Sequence, residues 1–129
     1  MVSNIDVSNI LTVSPIELAI FLVDNMTVKV PEYGLNNTIN VHGEIEPLLP
    51  IVTNKISLCT ELYIMVLAAK PPQSETKGNP EAKSVAEGLI SKRDQIYRII
   101  QTLESVRESI SRMMTAASRN MQTTKFSGV

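Results

Sequence analysis

The feature that most constrains the fold is an unbroken helical pattern in the last third of the chain. After Gly88, neither proline nor glycine occurs until Gly128. Asn79, Pro80 and Glu81 are typical of a helix start, because asparagine caps unpaired amides, proline fits the first position and an acid favours the positive end of the helix dipole. We predict one helix over about residues 80–121, on the order of 60 Å long.

Apolar residues recur along this segment in heptads over four repeats, as in the seam of a coiled coil. One core position is filled by Leu89, Ile96, Leu103, Ile110 and Ala117, and the position three residues later by Lys92, Ile99, Val106, Met113 and Asn120. A long apolar stripe of this kind needs another helix, or another chain, to cover it.

A second, shorter helix is predicted over about residues 47–70. Pro47 and Pro50 fit only its first turn, where amides lack helical partners, and Pro71-Pro72 ends it. The loop that follows lets the two helices form an antiparallel hairpin. If Lys70 lies opposite Pro80, the start of the shorter helix lies opposite about Leu103 of the longer one. We therefore predict an uncovered stripe, which we assign to an oligomer interface: Val106, Ile110, Met113, Met114, Ala117 and Met121. The alternative is that the N-terminal elements cover it.

The first 43 residues are predicted to hold an apolar arm, a short helix and a β-hairpin. Ser14, Pro15 and Glu17 form a capping box that starts a helix running to about Asp24, and this helix is apolar on most of its surface. It should therefore be buried or lie in an interface. Alternating residues on either side of a turn predict the hairpin over about 27–42. The fold class is mainly α with a small β-hairpin, in a single domain divided into residues 1–43 and 44–129.

Charge is distributed unevenly. Residues 1–75 carry 8 acids and 3 bases, a net charge of −5, whereas residues 76–129 carry 9 bases and 5 acids, a net charge of +4. The last stretch contains Arg112, Arg119 and Lys125 and no acid from residue 109 onward. These three are candidates for contact with phosphate or an acidic partner, and the asymmetry can drive head-to-tail self-association.

Catalytic chemistry is not predicted. His42, the one histidine, precedes Glu44 and Glu46 without the second histidine or cysteine pair of a typical metal site. Cys59 lies in an apolar helical run, where a buried thiol is expected. No glycine-rich phosphate loop occurs. We expect no enzyme, metal or cofactor, and no membrane segment, since the longest uninterrupted apolar run is far short of about twenty residues. Without a signal-like start, a cytoplasmic location in a host cell, or one inside an assembled particle, is expected.

The segment YRIIQTLESVRESISRMMTAASRNM resembles the C-terminal helix of phage recombination mediators. Those are small helical proteins that oligomerise and load a recombinase on single-stranded DNA. The resemblance covers about 30 residues and lies in the helical pattern and basic residues, without a diagnostic motif. The chain departs from those proteins in its predicted N-terminal hairpin and its acidic first half. The favoured function is a non-enzymatic, self-associating structural protein, such as a subunit of a viral (phage) particle, in contact with its own copies and other protein subunits. The alternatives are a nucleic-acid-associated accessory protein and a helical adaptor or inhibitor.

Overall fold

The computed structural model describes residues 4–31, 40–70 and 76–127, with side chains as far as Arg119. Three α-helices account for most of this part of the chain: α1 (Pro15–Asn25), α2 (Leu48–Ala69) and α3 (Pro80–Ser127). A single π-helical turn (Val41–Ile45) precedes α2. The protein is mainly helical, as predicted, and α3 extends six residues beyond the predicted end.

Helix boundaries follow the predicted start and stop signals. The Ser14 hydroxyl accepts a hydrogen bond from the Glu17 amide at 3.1 Å, with Pro15 in the first helical position. The Asn79 side chain accepts from the Ala82 amide at 3.2 Å and so caps α3. In α2, Pro50 lies in the first turn and Lys70 is the C-cap. The prolines at positions 71 and 72 cannot continue that helix, because proline lacks the backbone N–H that a helical hydrogen bond needs.

The predicted β-hairpin over about 27–42 is not confirmed. No strand occurs in the described ranges; residues 27–31 have no regular secondary structure, and residues 32–39 lie outside those ranges. The predicted second strand is wrong at Val41 and His42, which begin the π-helical turn. The physical reason is a local cap: Asn40 Oδ1 accepts from the Gly43 amide, while Glu44 Oε2 accepts from the Asn40 amide at 2.8 Å. These bonds occupy backbone amides that a strand would offer to a neighbour.

The antiparallel pairing of α2 and α3 is confirmed in direction but not in register. Tyr63 and Tyr97 are in ring contact, with centroids 6.1 Å apart. Leu49 and Thr53, near the start of α2, share a surface recess with Glu108 and Ser111 of α3. Counting along both helices from these contacts places Leu48 opposite about Arg112. We predicted that α2 covers α3 only as far as about Leu103, but it extends about nine residues, or two and a half turns, further along α3.

One aliphatic core runs through the whole described chain. The first heptad position is buried at Leu89, Ile96, Leu103 and Ile110, as the seam predicts. From α2 it receives Val52, Ile56, Cys59, Leu62 and Val66, and from the N-terminal residues Ile5, Ile10, Leu18 and Leu22. The apolar arm therefore packs on its own subunit, which was left open by the sequence.

Candidate assembly surfaces

Residues 4–26 form a compact layer over α3, here called the N-terminal unit. Before α1, the Asp6 carbonyl accepts from the Ile10 amide at 3.0 Å, and the Asp6 carboxylate accepts from the Ser8 amide and hydroxyl. Those Ser8 hydrogen bonds lower the pKa of Asp6. The turn directs Ile5, Ile10 and Val13 into the core. Leu18, Phe21 and Leu22 of α1 continue the same buried face.

Two side chains of α3 hold the N-terminal unit in place. Lys92 is 5% exposed, and its ammonium donates to the carbonyl oxygens of Ile10 and Leu11 at 3.0 and 3.1 Å. One turn later, Gln95 Nε2 donates to the Pro15 carbonyl at 3.2 Å. At the far end of α1, the Lys55 ammonium donates to the Asn25 carbonyl. Burial lowers the pKa of Lys92 because the charged form loses hydration.

The outer face of the N-terminal unit is apolar. Ile16 is 74% exposed and Val23 62% exposed, with Ile20 between them on the same side of α1. Val7 and Leu11, in the preceding turn, are also exposed. We call these five side chains the α1 stripe. Sequence reasoning predicted a buried or interfacial α1 from its apolar surface, but it did not single out these residues. The available signal was the helical spacing of Ile16, Ile20 and Val23.

The predicted oligomer-interface residues are largely covered within the chain. Ile110 is fully buried, and Val106, Met113, Met114 and Ala117 are half-buried against the core. The π-helical turn, through Val41 and Ile45, contributes to the same core. The Met121 side chain lies outside the described residues. Three of these side chains, Met113, Met114 and Ala117, are half-exposed. They lie on α3 beyond the point opposite the start of α2, in the part of α3 that continues to Ser127.

Basic residues accompany that half-exposed group. Arg112 and Arg119 are exposed on α3 and line one shallow recess with Ser111, Thr115 and Glu108. The Arg112 guanidinium donates to the Glu108 carboxylate one turn earlier, and both side chains are mostly exposed. The Lys125 side chain lies outside the described part of the chain. We refer to Arg112, Met113, Met114, Ala117 and Arg119 as the basic-methionine patch.

Helix α2 also has exposed apolar side chains, namely Ile51, Ile64 and Leu67. Together with the π-helical turn it forms a segment, Val41–Ala69, long and apolar enough by length and composition to cross a membrane, and 22% of its most apolar window is buried. A core helix of a soluble protein can meet the same criterion, and five α2 side chains lie in the core here. The absence of a membrane segment therefore stays a prediction.

The residues with reactive side chains are not arranged around a site. His42 Nδ1 lies 3.2 Å from Glu46 Oε2 on an exposed turn, and Glu44 is engaged at the Asn40 amide. Within the described residues, no group of three histidine, cysteine or acidic side chains is placed to hold a metal ion. Cys59 is buried, and desolvation raises the pKa of its thiol to about 11. At neutral pH this thiol is protonated and therefore a poor nucleophile.

No protein-family model matches the chain, and neither a characterised protein nor a solved structure matches it significantly.

Proposed function

We propose that this chain is a non-enzymatic structural protein that associates with its own copies to build a multi-subunit assembly, such as a viral particle. The observation that carries the proposal is the α1 stripe. It is an apolar helix face that the folded chain leaves in water while the opposite face of the same helix is buried.

The five side chains of the stripe would stabilise a complex that covered them. Burying apolar surface stabilises a complex by about 25 cal/mol per Å², so covering several aliphatic side chains can contribute several kcal/mol. Isolated exposed apolar residues are ordinary, but a contiguous group on one helix marks an interaction surface. On α1 this group is Ile16, Ile20 and Val23, which are at helical spacing, and Val7 and Leu11 in the preceding turn are exposed as well.

The test is the mass of the protein in solution. Sedimentation velocity from about 1 to 100 μM should show species at multiples of 14.2 kDa that grow with concentration. Replacing Ile16 by glutamate should weaken association by at least about tenfold, since a charge in an apolar interface is costly. Val85→Glu is the matched control, because Val85 is 60% exposed at the other end of the molecule from the basic-methionine patch. A protein that stays monomeric throughout would refute the proposal.

An accessory protein for single-stranded nucleic acid is the second candidate. It is favoured by Arg112 and Arg119, which lie two turns apart on the exposed side of α3. Charge contacts of this kind release counterions, so binding should fall steeply with salt. Binding of a labelled oligonucleotide that weakens on Arg112→Gln but not on Lys83→Gln would support this candidate over the first.

A further inference from the structure

The N-terminal unit and the C-terminal part of α3 carry opposite charges. Each also has an exposed apolar group, the α1 stripe in the first and Met113, Met114 and Ala117 in the second. Residues 4–28 contain Asp6, Glu17 and Asp24 and no basic residue. From residue 109 onward the only charges are basic, and Glu108, one turn before Arg112, is the acid that pairs with it. Acids flank the α1 stripe, because Glu17 follows Ile16 and Asp24 follows Val23; arginines flank the methionines, because Arg112 precedes Met113 and Arg119 lies two positions beyond Ala117.

The two basic side chains that reach the N-terminal unit do not neutralise its outer face. Lys92 and Lys55 approach from α3 and α2 and are tied to backbone carbonyls of Ile10, Leu11 and Asn25. Lys92 is also buried beneath the unit. Neither ammonium is bonded to the carboxylate of Glu17 or Asp24.

The two surfaces of one molecule are separated along α3, because the end of α1 nearer to Met114 lies about 14 Å short of it. The Pro15 carbonyl is held at Gln95, and Met114 lies about 19 residues further along α3, on the order of 30 Å away along the helix axis. Helix α1 has 11 residues, which gives it a length of about 16 Å. Its exposed stripe also faces away from α3, against which its buried face packs. Complementary patches on one rigid body that cannot close on themselves join successive copies.

We propose that a second copy of this chain docks its basic-methionine patch on the α1 stripe, in a head-to-tail contact. The inference rests on the proposed self-association and names the surfaces that carry it. In the contact, Ile16, Ile20 and Val23 cover Met113, Met114 and Ala117 of the next copy, while Glu17 and Asp24 face Arg112 and Arg119. Methionine side chains adapt to such a surface because they are unbranched and polarizable.

A head-to-tail contact leaves one free patch of each kind on every growing oligomer. The assembly therefore extends into a filament, or closes as a ring if the rotation between copies permits. A two-fold dimer would instead place like surfaces together, which would bring Glu17 and Asp24 against the same acids. The charge pattern favours the first arrangement, because like charges in contact are repulsive.

Charge reversal in two separate variants tests this contact. The first variant carries Glu17→Lys and Asp24→Lys, and the second carries Arg112→Glu and Arg119→Glu. Each variant alone should lose at least about tenfold in association, because its two patches now repel. An equimolar mixture should regain assembly near the wild-type level, since the basic α1 of one variant then meets the acidic patch of the other. Circular dichroism of each variant checks that its helices are retained.

The outcomes separate this inference from the proposed function. If the wild type sediments as oligomers and the mixture stays as weak as the separate variants, self-association stands and the head-to-tail contact is wrong. If the wild type is monomeric at every concentration, both are wrong. Raising salt from about 0.1 M to about 1 M shortens the Debye length from about 10 Å to about 3 Å, so it should weaken wild-type assembly.

Cysteine cross-linking gives an independent check of the geometry. In a Cys59→Ala background, Ile20→Cys is mixed with Ala117→Cys and the mixture is oxidised. A disulfide-linked dimer should form in the mixture and not in either preparation alone. Cross-linking of Ile20→Cys with itself would instead show a two-fold α1 contact and overturn the inference. Val85→Cys, mixed with Ala117→Cys, is the matched control and should remain unlinked.

Discussion

The Lys92 ammonium lies 3.0 Å from the carbonyl oxygen of Ile10, 82 positions earlier in the chain, and donates a hydrogen bond to it. A second hydrogen bond joins it to the Leu11 carbonyl. No carboxylate takes part in these bonds. Together with Gln95, which donates to the Pro15 carbonyl, this side chain of α3 fixes the N-terminal unit that displays the α1 stripe.

Replacing Lys92 by methionine should destabilise the fold. The apolar stem is preserved, but the carbonyl oxygens of Ile10 and Leu11 lose their donor, at a cost of about 1–3 kcal/mol in the free energy of unfolding. Urea unfolding measures this change, and hydrogen exchange should show faster opening of residues 4–26 than of α2. Lys83→Met, on an exposed position of the same helix, should change stability by less than about 0.5 kcal/mol. Equal effects of the two substitutions would argue against the role assigned to Lys92.

Lys92 should contribute an increase in stability with pH over the range where it loses its proton. Its pKa is lowered by burial from the ordinary value of 10.5. Below the lowered pKa, folded and unfolded chains both carry the proton, so the full cost of burying the charge is present. Between the lowered pKa and 10.5, the unfolded chain binds more protons than the folded chain, and the free energy of unfolding therefore increases with pH. The neutral amine still has two hydrogens for the two carbonyls.

Subtraction of the Lys92→Met variant isolates this pH effect from other groups that titrate in alkali. Cys59 acts in the opposite direction, because its pKa of about 11 in the folded chain lies above the ordinary value of 9.0. Both proteins retain Cys59, so the difference between their unfolding curves reports Lys92. A difference that does not change from pH 7 to pH 10.5 would show that the amine is solvated in the folded state.

Truncation of Ile110 to alanine should cost about 2–5 kcal/mol in the free energy of unfolding, as for other fully buried aliphatic residues. Ile110 has no exposed surface in its own chain. Val85→Ala is the exposed control and should be near neutral. If Ile110→Ala leaves the unfolding of the dilute protein unchanged and weakens association instead, Ile110 lies between subunits.

Substitution of Gly43 tests the cap of the π-helical turn. A Cβ at this position would lie 2.7 Å from Asn40 Nδ2, so the Asn40 side chain would have to move and lose its bond to the Gly43 amide. Gly43→Ala should therefore destabilise the protein by about 1 kcal/mol. Gly88→Ala has open space around the new Cβ and should stabilise α3 by about 0.5–1 kcal/mol. In an Asn40→Ala background, the cost of Gly43→Ala should largely vanish.

Local signals predicted the helices well because their physical causes lie within a few residues. Ser14, Pro15 and Glu17 determine the start of α1 through one hydrogen bond and one fixed φ angle. The heptad spacing predicted the buried positions Leu89, Ile96, Leu103 and Ile110 of α3, whereas the burial of Lys92, which shares the seam, was not predicted. The partners of Lys92 could not be predicted, since they are backbone carbonyls and every residue has one.

The features that depend on long-range geometry were predicted less well. The register of α2 against α3 is set by contacts between the two helices, and the prediction that paired Lys70 directly with Pro80 placed it about nine residues off. Tyr63 against Tyr97 identifies the actual pairing, but neither tyrosine stands out in the sequence. Near Val41, alternation over residues 38–41 favoured a strand, whereas Asn40 and Glu44 supply a cap whose geometry appears only in three dimensions.

The 48-residue α3 is one continuous rod of about 70 Å that carries both the site where α1 docks and the arginine-bearing end. The length of α3 therefore sets the distance between the α1 stripe and the basic-methionine patch. Inserting or deleting one heptad between Gln95 and Arg112 would change their spacing by about 10 Å and rotate one site around the axis by only about 20°. Because α2 pairs with this stretch of α3, a matching heptad in α2 would be needed to keep the core in register while the spacing of the two surfaces changes.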